Sequence, residues 1–410
     1  MYIKRAKVQE VQKVALGVVV AVIKFTSQAF FKTIFKLLIT VNFLTHSFNS
    51  LAGTLPVDTV DSLYHRYEGG GMTIDGPFIL VRKSVGNQFS LSGHYYVDSV
   101  SAASVDVLAT ASAYTEERTE VSAGVDYLNE KTLMSFKYTN SEENDFTANS
   151  AFFSVSQDFF GDLTNFTLGY ARGWDDVGQL GKSETEDADR HIYQVGMTQV
   201  LTKNALIGVN LETITDEGFL QNPYRQVRFI DPGNTARGYS YQLESYPETR
   251  TSTAMAFRGL YYLPYRASIK GEYRYFNDSW GIESHTYDLL YVHPLDDQWI
   301  VEGKFRYYSQ TQADFYQDLF PFKDSQTHLA RDKELSNFSG TTFGAGISYE
   351  LGQGAITHID RLKFTLLLDY IQFEYDNFRD VVAGEGLAVG TEPLYEFDAW
   401  VTRASITLEY

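Results

Sequence analysis

Charged side chains stand at alternating positions in three stretches of the chain, between apolar, aromatic or glycine residues. They are Arg258, Lys270, Glu272, Arg274, Glu302, Lys304 and Arg306. Because successive side chains of an extended chain point to opposite faces, each stretch would gather its charges on one face. Such a face could line a polar passage and, if the basic residues dominate, favour anions. The alternative is that the acidic and basic residues pair and rigidify a closed interior.

Two dense acidic stretches offer oxygen ligands for a divalent cation. One lies in 141–145; the other lies in 184–191, where we expect a long loop. The candidate ligands are Glu142, Glu143, Asp145, Glu186, Asp187 and Asp189. Their spacing matches no calcium-loop template. A solvated acidic loop is the alternative for both stretches, and the sequence assigns no metal.

The composition narrows the class of protein. The 410 residues carry a formal net charge of −18, which argues against nucleic acid as a partner because phosphates require basic patches. Cysteine is absent, so the chain has no disulfide, thiolate metal site or cysteine nucleophile. Aromatic residues make up 15%, a share typical of side chains that sit between an apolar phase and water.

Extended segments must position these side chains. From residue 62 onward the two-residue period predominates and the helical period is hard to find. The alternation predicts about sixteen strands, an even number as single-chain bacterial barrels require, with fourteen as the alternative. The predicted strands are 62–68, 72–84, 88–99, 118–128, 131–140, 147–159, 165–174, 190–201, 205–215, 250–262, 267–276, 282–292, 298–309, 340–351, 362–376 and 394–410.

The links between these strands alternate in length. Every second link is mostly short and rich in Gly, Asn, Asp or Pro, as at 86–87 and 202–204. Outer-membrane barrels have short periplasmic turns and long extracellular loops, whereas a soluble β-sandwich has no reason to keep this alternation. We therefore predict an all-β fold for residues 53–410, a transmembrane antiparallel up-and-down β-barrel with its charged face towards the lumen. The intervening long links are 100–117, 175–189, 216–249, 310–339 and 377–393.

The longest link, 216–249, combines arginines with aromatic residues, among them Arg228, Phe229 and Tyr239. Arginine beside aromatic residues is typical of binding surfaces. The link could fold into the lumen as a constriction, meet a partner, or pack on neighbouring loops.

The last predicted strand has an apolar face that runs from Trp400 to Tyr410 and a polar face that carries Arg403 and Glu409. A terminal strand that ends in an aromatic residue resembles those of bacterial outer-membrane barrels, whose assembly machinery reads that strand. We therefore expect outer-membrane lipid around the barrel and the barrel assembly machinery as a partner.

The first 52 residues are basic and hold two apolar runs, each too short to span a membrane as a helix. The small residues of 50–52 suit a cleavage site. We predict a signal peptide or N-terminal export segment at 1–52, with export through the periplasm to the bacterial outer membrane. A retained membrane-anchoring helix is the alternative.

Three stretches, 95–104, 113–120 and 138–147, go beyond a general barrel pattern. Together with 80–84 they resemble a proteobacterial outer-membrane β-barrel family of unknown function, the domain of unknown function 3570 family. The resemblance implies a barrel with no assigned substrate or catalytic residue. It also implies a periplasmic redox partner, because such proteins are thought to be encoded near periplasmic redox proteins. No motif of this chain binds a flavin, and no cofactor is expected.

Three functions fit these observations. The leading interpretation is a channel or conduit for a small solute or a periplasmic partner, with the substrate unknown. The alternative is a plugged barrel that serves as a scaffold for an extracytoplasmic redox or electron-transfer assembly. An outer-membrane enzyme is third, because the chain has no Gly-x-Ser-x-Gly elbow and no pair of histidines at metal-binding spacing. A serine and a histidine brought together on the barrel wall would support an enzyme.

Overall fold

The computed structural model describes residues 54–102, 114–179, 182–352, 357, 359–384 and 386–410. The predicted signal segment 1–52 lies outside the described residues, as does most of the predicted link 100–117. The strands are β1 (Thr59–Gly69), β2 (Met72–Val85), β3 (Phe89–Ala102), β4 (Tyr114–Asn129), β5 (Thr132–Glu142), β6 (Phe146–Phe159), β7 (Thr164–Val177), β8 (Glu186–Thr202), β9 (Ala205–Gly218), β10 (Gln226–Ile230), β11 (Tyr239–Leu243), β12 (Thr249–Tyr262), β13 (Ser268–Asp278), β14 (Glu283–Pro294), β15 (Trp299–Gln310), β16 (Phe338–Leu351), β17 (Arg361–Arg379) and β18 (Leu394–Glu409).

Sixteen of these strands form one closed barrel, and β10 and β11 form a separate hairpin. Each barrel strand after β1 pairs with the strand before it, with β9 followed directly by β12. The barrel closes where β1 pairs antiparallel with β18, Thr59 opposite Glu409 and Gly69 opposite Ala399. The predicted fold class is confirmed, and the predicted strand 62–68 lies within β1, which closes the barrel.

The two faces of the wall differ as the alternation predicts. One face exposes large apolar side chains to the surroundings, for example Phe257, Phe305 and Leu366. On the other face, ion pairs reach past an intervening strand, as between Lys304 on β15 and Asp369 on β17. Side chains from two strands that are separated by a third converge on the concave face of the wall and diverge on its convex face. The polar face is therefore the inward one.

The links differ in length between the two ends of the barrel. The end where β1 begins carries 86–88, 130–131, 160–163, 203–204, 263–267 and 295–298. At the opposite end, 219–248, 311–337 and 380–393 are long, while 70–71, 143–145 and 279–282 are short. In the part of the chain that the structure describes, no helix has the length and apolar character needed to cross a membrane.

The long link 216–249 contains the β10–β11 hairpin, in which Phe229 pairs with Ser240. One local expectation was wrong. Glu186, Asp187 and Asp189 do not lie in a long loop, because β8 begins at Glu186 and pairs with β7 along this stretch. Backbone hydrogen bonding to β7 outweighed the low strand propensity of acidic residues.

Candidate functional site

The charged residues singled out from the sequence lie on the inward face of β12, β13 and β15, and within the described part of the chain all of them except Glu302 form ion pairs within 4.0 Å. Arg258 and Glu272 are cross-strand partners, with 2.5 Å between Nε and Oε2. Lys270 Nζ lies 4.0 Å from the same carboxylate. Arg274 reaches past β12 to Glu212 on β9, with an Nη2–Oε1 distance of 3.3 Å.

The same pairing continues on the next strands. Arg306 on β15 lies opposite Asp288 on β14, with 3.8 Å between Nε and Oδ2. Lys304 Nζ lies 3.3 Å from Asp369 Oδ2, and Arg403 on β18 donates to the same oxygen at 2.7 Å. The Asp369 side chain is only 8% exposed, so its two cations are what keep its charge compensated.

Two glycines of β16 make room for these contacts. A Cβ on Gly344 would lie 2.2 Å from an oxygen of Asp369 and 3.1 Å from the Cβ of Lys304. A Cβ on Gly346 would lie 2.5 Å from Cγ of Glu302. The missing side chains let residues of β15 and β17 meet across β16, beside a cavity of about 30 Å³.

The interior therefore combines acidic and basic groups around most of this wall. The sequence left two arrangements open, paired charges or an unopposed basic strip. The structure has paired charges on β12–β15, and it gives no support to the basic strip. Paired charges of this kind stiffen a wall, but they cancel much of each other's field in the lumen. Whether these residues line a working pore stays a prediction.

The acidic metal candidates are not gathered into a site. Asp189 pairs with Arg172 at 2.9 Å, and the carboxylate of Asp145 accepts a hydrogen bond from Tyr224. Glu143 is half-buried, and burial, reinforced by the charge of Glu116, raises the pKa of its carboxyl. Among the residues that the structure describes, no three His, Asp or Glu side chains are grouped so that they could hold a metal ion.

A serine and a histidine do meet on the inner wall, where β3 pairs with β4. Ser122 Oγ lies 2.6 Å from His94 Nδ1, and His94 Nε2 lies 2.9 Å from Glu120 Oε1. The order serine, histidine, carboxylate is that of a hydrolase triad. However, Ser122 is 7% exposed, and it lies in a strand paired on both sides, where backbone N–H groups are committed to the ladder. Arg118 also donates to Glu120. In the described strands β3, β4 and β5 the backbone N–H groups beside the serine belong to the ladder, so none of them is free to form an oxyanion hole.

At the long-loop end, the described residues of 219–248, 311–337 and 380–393 pack into one unit that we call the cap. Its β10–β11 hairpin contributes Val227 and Phe229, which are buried against Phe320 and Leu329. The backbone joins the same segments: Ile230 N–H donates to Phe320 at 2.9 Å, and Leu329 N–H donates to Ser245 at 2.7 Å. The 216–249 link therefore packs on its neighbours, one of the three outcomes considered.

Arg228 is the central polar contact of the cap. Its guanidinium is fully buried and binds Glu392 through two nitrogens, at 2.5 Å and 3.2 Å. It also pairs with the carboxylate of Asp318 and donates to the Asp318 backbone oxygen at 3.0 Å. One side chain thus joins all three segments of the cap. We name the Arg228, Asp318 and Glu392 group the latch.

A buried carboxyl lies next to the latch. Glu244 accepts the backbone N–H of Arg331 at 2.7 Å and the hydroxyl of Tyr246 at 2.7 Å. Burial, followed by the charge of Asp332, raises the pKa of Glu244 to about 7, against the opposing effect of Arg225. This carboxyl is therefore a group of the cap that titrates near neutral pH.

An aromatic cluster seats the cap on the strand ends. Phe315 and Tyr316 of the cap pack with Trp280, Tyr375 and Tyr395, all buried. Trp280 lies between β13 and β14, and Tyr375 and Tyr395 lie on β17 and β18. The cap is thus held by apolar contacts as well as by ions.

The cap also touches the far side of the barrel end. Its Tyr224 hydroxyl donates to Asp145 in the link between β5 and β6. Passing round the sheet from the β15–β16 link to the β5–β6 link crosses β15, β14, β13, β12, β9, β8, β7 and β6, half of the barrel. The two links therefore lie on opposite sides of the rim, and a unit that contacts both lies across the mouth.

Sequence reasoning found the inward charges but missed the latch. Alternation marks an inward residue from its immediate neighbours, whereas Arg228 on β10 and Glu392 in the link 380–393 are separated by 164 positions. The arginine-rich composition of 216–249 was the only signal. Nothing local indicates which acid each arginine meets.

Several solved outer-membrane structures are similar to this chain. A bacterial polysaccharide outer membrane secretin aligns with 86% of this chain and 98% of its own, at 9% identity and a TM-score of 0.44. OccK2 (OpdF) of Pseudomonas aeruginosa, in complex with glucuronate, aligns with 86% of this chain and 98% of its own, at 9% identity and a TM-score of 0.41. A loop L8 deletion mutant of OmpT of Vibrio cholerae aligns with 86% of this chain and 99% of its own, at 9% identity and a TM-score of 0.40. Identities this low concern the fold alone, so a neighbour's ligand says nothing about this chain.

No curated protein matches the sequence. A family model does match, and its segment begins after the stretches 80–84 and 95–147 on which the resemblance rested. The resemblance to the family is confirmed: residues 174–377 of this chain match the family described as Protein of unknown function (DUF3570).

Proposed function

We propose that this protein is a gated outer-membrane conduit for a small solute, closed at its outer mouth by the cap. The observation that carries the proposal is the closed sixteen-strand barrel with a polar inner face and an apolar outer face. Barrels of this strand number are wide enough for an aqueous channel. The long-loop end, which bears the cap, would face the cell exterior.

Gating follows from the way the cap is held. Its contacts combine an aromatic cluster, backbone pairing and the latch, and none of its segments is a strand of the barrel wall. The wall can therefore stay intact while the cap moves. A solute or a partner protein that competes for these contacts would open the conduit.

The plugged scaffold remains the second candidate, because the ion pairs of the fully buried Arg228 in the latch suit a permanent closure as well as a gate. In that case the barrel would carry no solute and would serve a periplasmic redox partner, as the family resemblance implied. The two candidates differ in one observable, the current through a folded barrel from which part of the cap has been removed.

The experiment replaces residues 219–248 by a four-residue Gly/Ser link. Glu217 and Thr249 are paired in register, so a short link can join β9 to β12 without disturbing the wall. Folding is checked by resistance to SDS at room temperature and a mobility shift on boiling. Planar-bilayer recordings should show rare openings for the intact protein and steady current for the variant. A folded variant that stays silent contradicts the conduit and supports the scaffold.

A further inference from the structure

The inner wall of β3–β6 contains a pocket. One register row runs across it: Ser92 on β3 lies opposite Gly124 on β4, Gly124 opposite Lys137 on β5, and Lys137 opposite Phe152 on β6. These residues belong to the inward face, since the alternate positions of β5 are exposed apolar residues such as Phe136. The cavity over this row has a volume of about 410 Å³, enough for a small organic molecule.

Glycine positions shape the pocket. A Cβ on Gly124 would lie 2.8 Å from Ser92 Oγ, so any larger residue would fill the floor. The ring of Phe152 leans towards β7, where a Cβ on Gly169 would lie 3.4 Å from its Cε2. The ring thus forms one apolar wall, and Lys137 stands between it and the floor.

The two basic residues of the pocket differ, because Arg82 has an acidic partner and Lys137 has none within the described residues. Arg82 is paired with Asp126, and Asp126 also accepts the hydroxyl of Ser135 at 2.6 Å. Lys137 is exposed to the lumen, and among the residues that the structure describes it forms no ion pair. The pocket therefore offers one uncompensated cation, an aromatic ring and the hydroxyls of Ser92 and Ser150.

We infer that this pocket is a binding site for a small organic monoanion with an aromatic or apolar part. The ammonium of Lys137 would bind the carboxylate, because a charged hydrogen bond needs a partner that no protein group supplies here. Phe152 would pack against the apolar part. The inference rests on the proposed conduit for its physiological meaning, as the site a solute meets in the lumen, but the pocket exists whether or not current flows.

The test uses benzoate as the probe and benzamide, its neutral isostere, as the control ligand. Titration calorimetry on the folded full-length barrel in detergent measures binding without requiring an open cap. To ensure access, the same titration is run on the 219–248 replacement. Benzoate should bind at least about tenfold more tightly than benzamide, and Lys137→Gln should abolish that preference, since one charged hydrogen bond accounts for about this factor.

Lys363→Gln is the matched control variant. Lys363 also lies on the inward face, on β17, where it is 3.8 Å from Glu350. It should bind benzoate as the wild type does, while Phe152→Ala should weaken benzoate binding. Equal binding of benzoate and benzamide, or unchanged binding by Lys137→Gln, would overturn the inference. If benzoate binds with this preference but the barrel carries no current, the binding site is supported and the conduit is refuted. If the barrel carries current but does not prefer benzoate, the conduit is supported and the binding site is refuted.

Discussion

Replacing Arg228 by alanine should release the cap while leaving the barrel folded. The guanidinium is fully buried, and its removal leaves the carboxylate of Glu392, 5% exposed, without its cation. Asp318, 11% exposed, loses one of its two cations and keeps Arg331 at 3.0 Å. Breaking one side of a buried ion pair costs about 3–5 kcal/mol. Because 1.4 kcal/mol is a factor of about ten, the equilibrium for cap opening should shift by two to more than three orders of magnitude.

Two measurements report the shift. Hydrogen exchange should accelerate at the amides that join the cap segments, above all Ile230 and Leu329. The barrel amides should keep their protection. In planar bilayers the open probability should rise in parallel with the exchange.

Arg237→Ala is the matched control, because Arg237 is an exposed arginine of the same hairpin turn. It should leave both exchange and current at wild-type values. If Arg228→Ala also leaves cap exchange unchanged, the latch does not hold the cap and the assignment of its energy is wrong.

Other predictions concern the cap, the wall and the inner serine. The folded-state pKa of Glu244 is raised from 4.5 to about 7, so its contribution to cap stability is complete below about pH 4.5 and is lost as pH rises through about 7. Hydrogen exchange of the cap, corrected for intrinsic rates, should therefore be slower at pH 5 than at pH 8. The free energy of cap opening derived from it should be larger at pH 5 by up to about 3 kcal/mol, and Glu244→Gln should remove the difference. Gly344→Ala should lower barrel stability by about 1–3 kcal/mol, because a Cβ there displaces Asp369; an unchanged temperature of heat modification would contradict this. Ser122 should resist a fluorophosphonate probe, because it is buried and lacks an oxyanion hole; labelling that Ser122→Ala abolishes would instead establish an enzyme.

The strands could be predicted from sequence because each is fixed by a local pattern. Phe305 and Tyr307 alternate with Lys304 and Arg306, and the solvation cost of charge in lipid determines which set faces outward. The same argument located the inward charges. It could not identify their partners, because Asp369 meets Lys304 only through the space left by a glycine on the strand between them.

The cap could not be predicted for a related reason. Its segments have no period, and their contacts are set by which loops the barrel brings to one rim. The latch requires β10 to meet 311–337 and 380–393, which is decided by strand order and not by neighbouring residues. The inner serine shows the reverse case, in which residues of suitable type meet, as alternation on adjacent strands allows, but the serine is 7% exposed and lies in a strand paired on both sides.

The pairing of β1 with β18 has a consequence for biogenesis. The edge of β1 is satisfied only when β18, the last strand in the chain, is in place, so the wall closes through its contact of longest range. Until then both edges carry unpaired backbone groups, which template aggregation in water and are strongly unfavourable in lipid. Closure is thus an all-or-none event. A chain that loses β18 would therefore lose the closed barrel and not only one strand, because both β1 and β17 would be left with an unpaired edge.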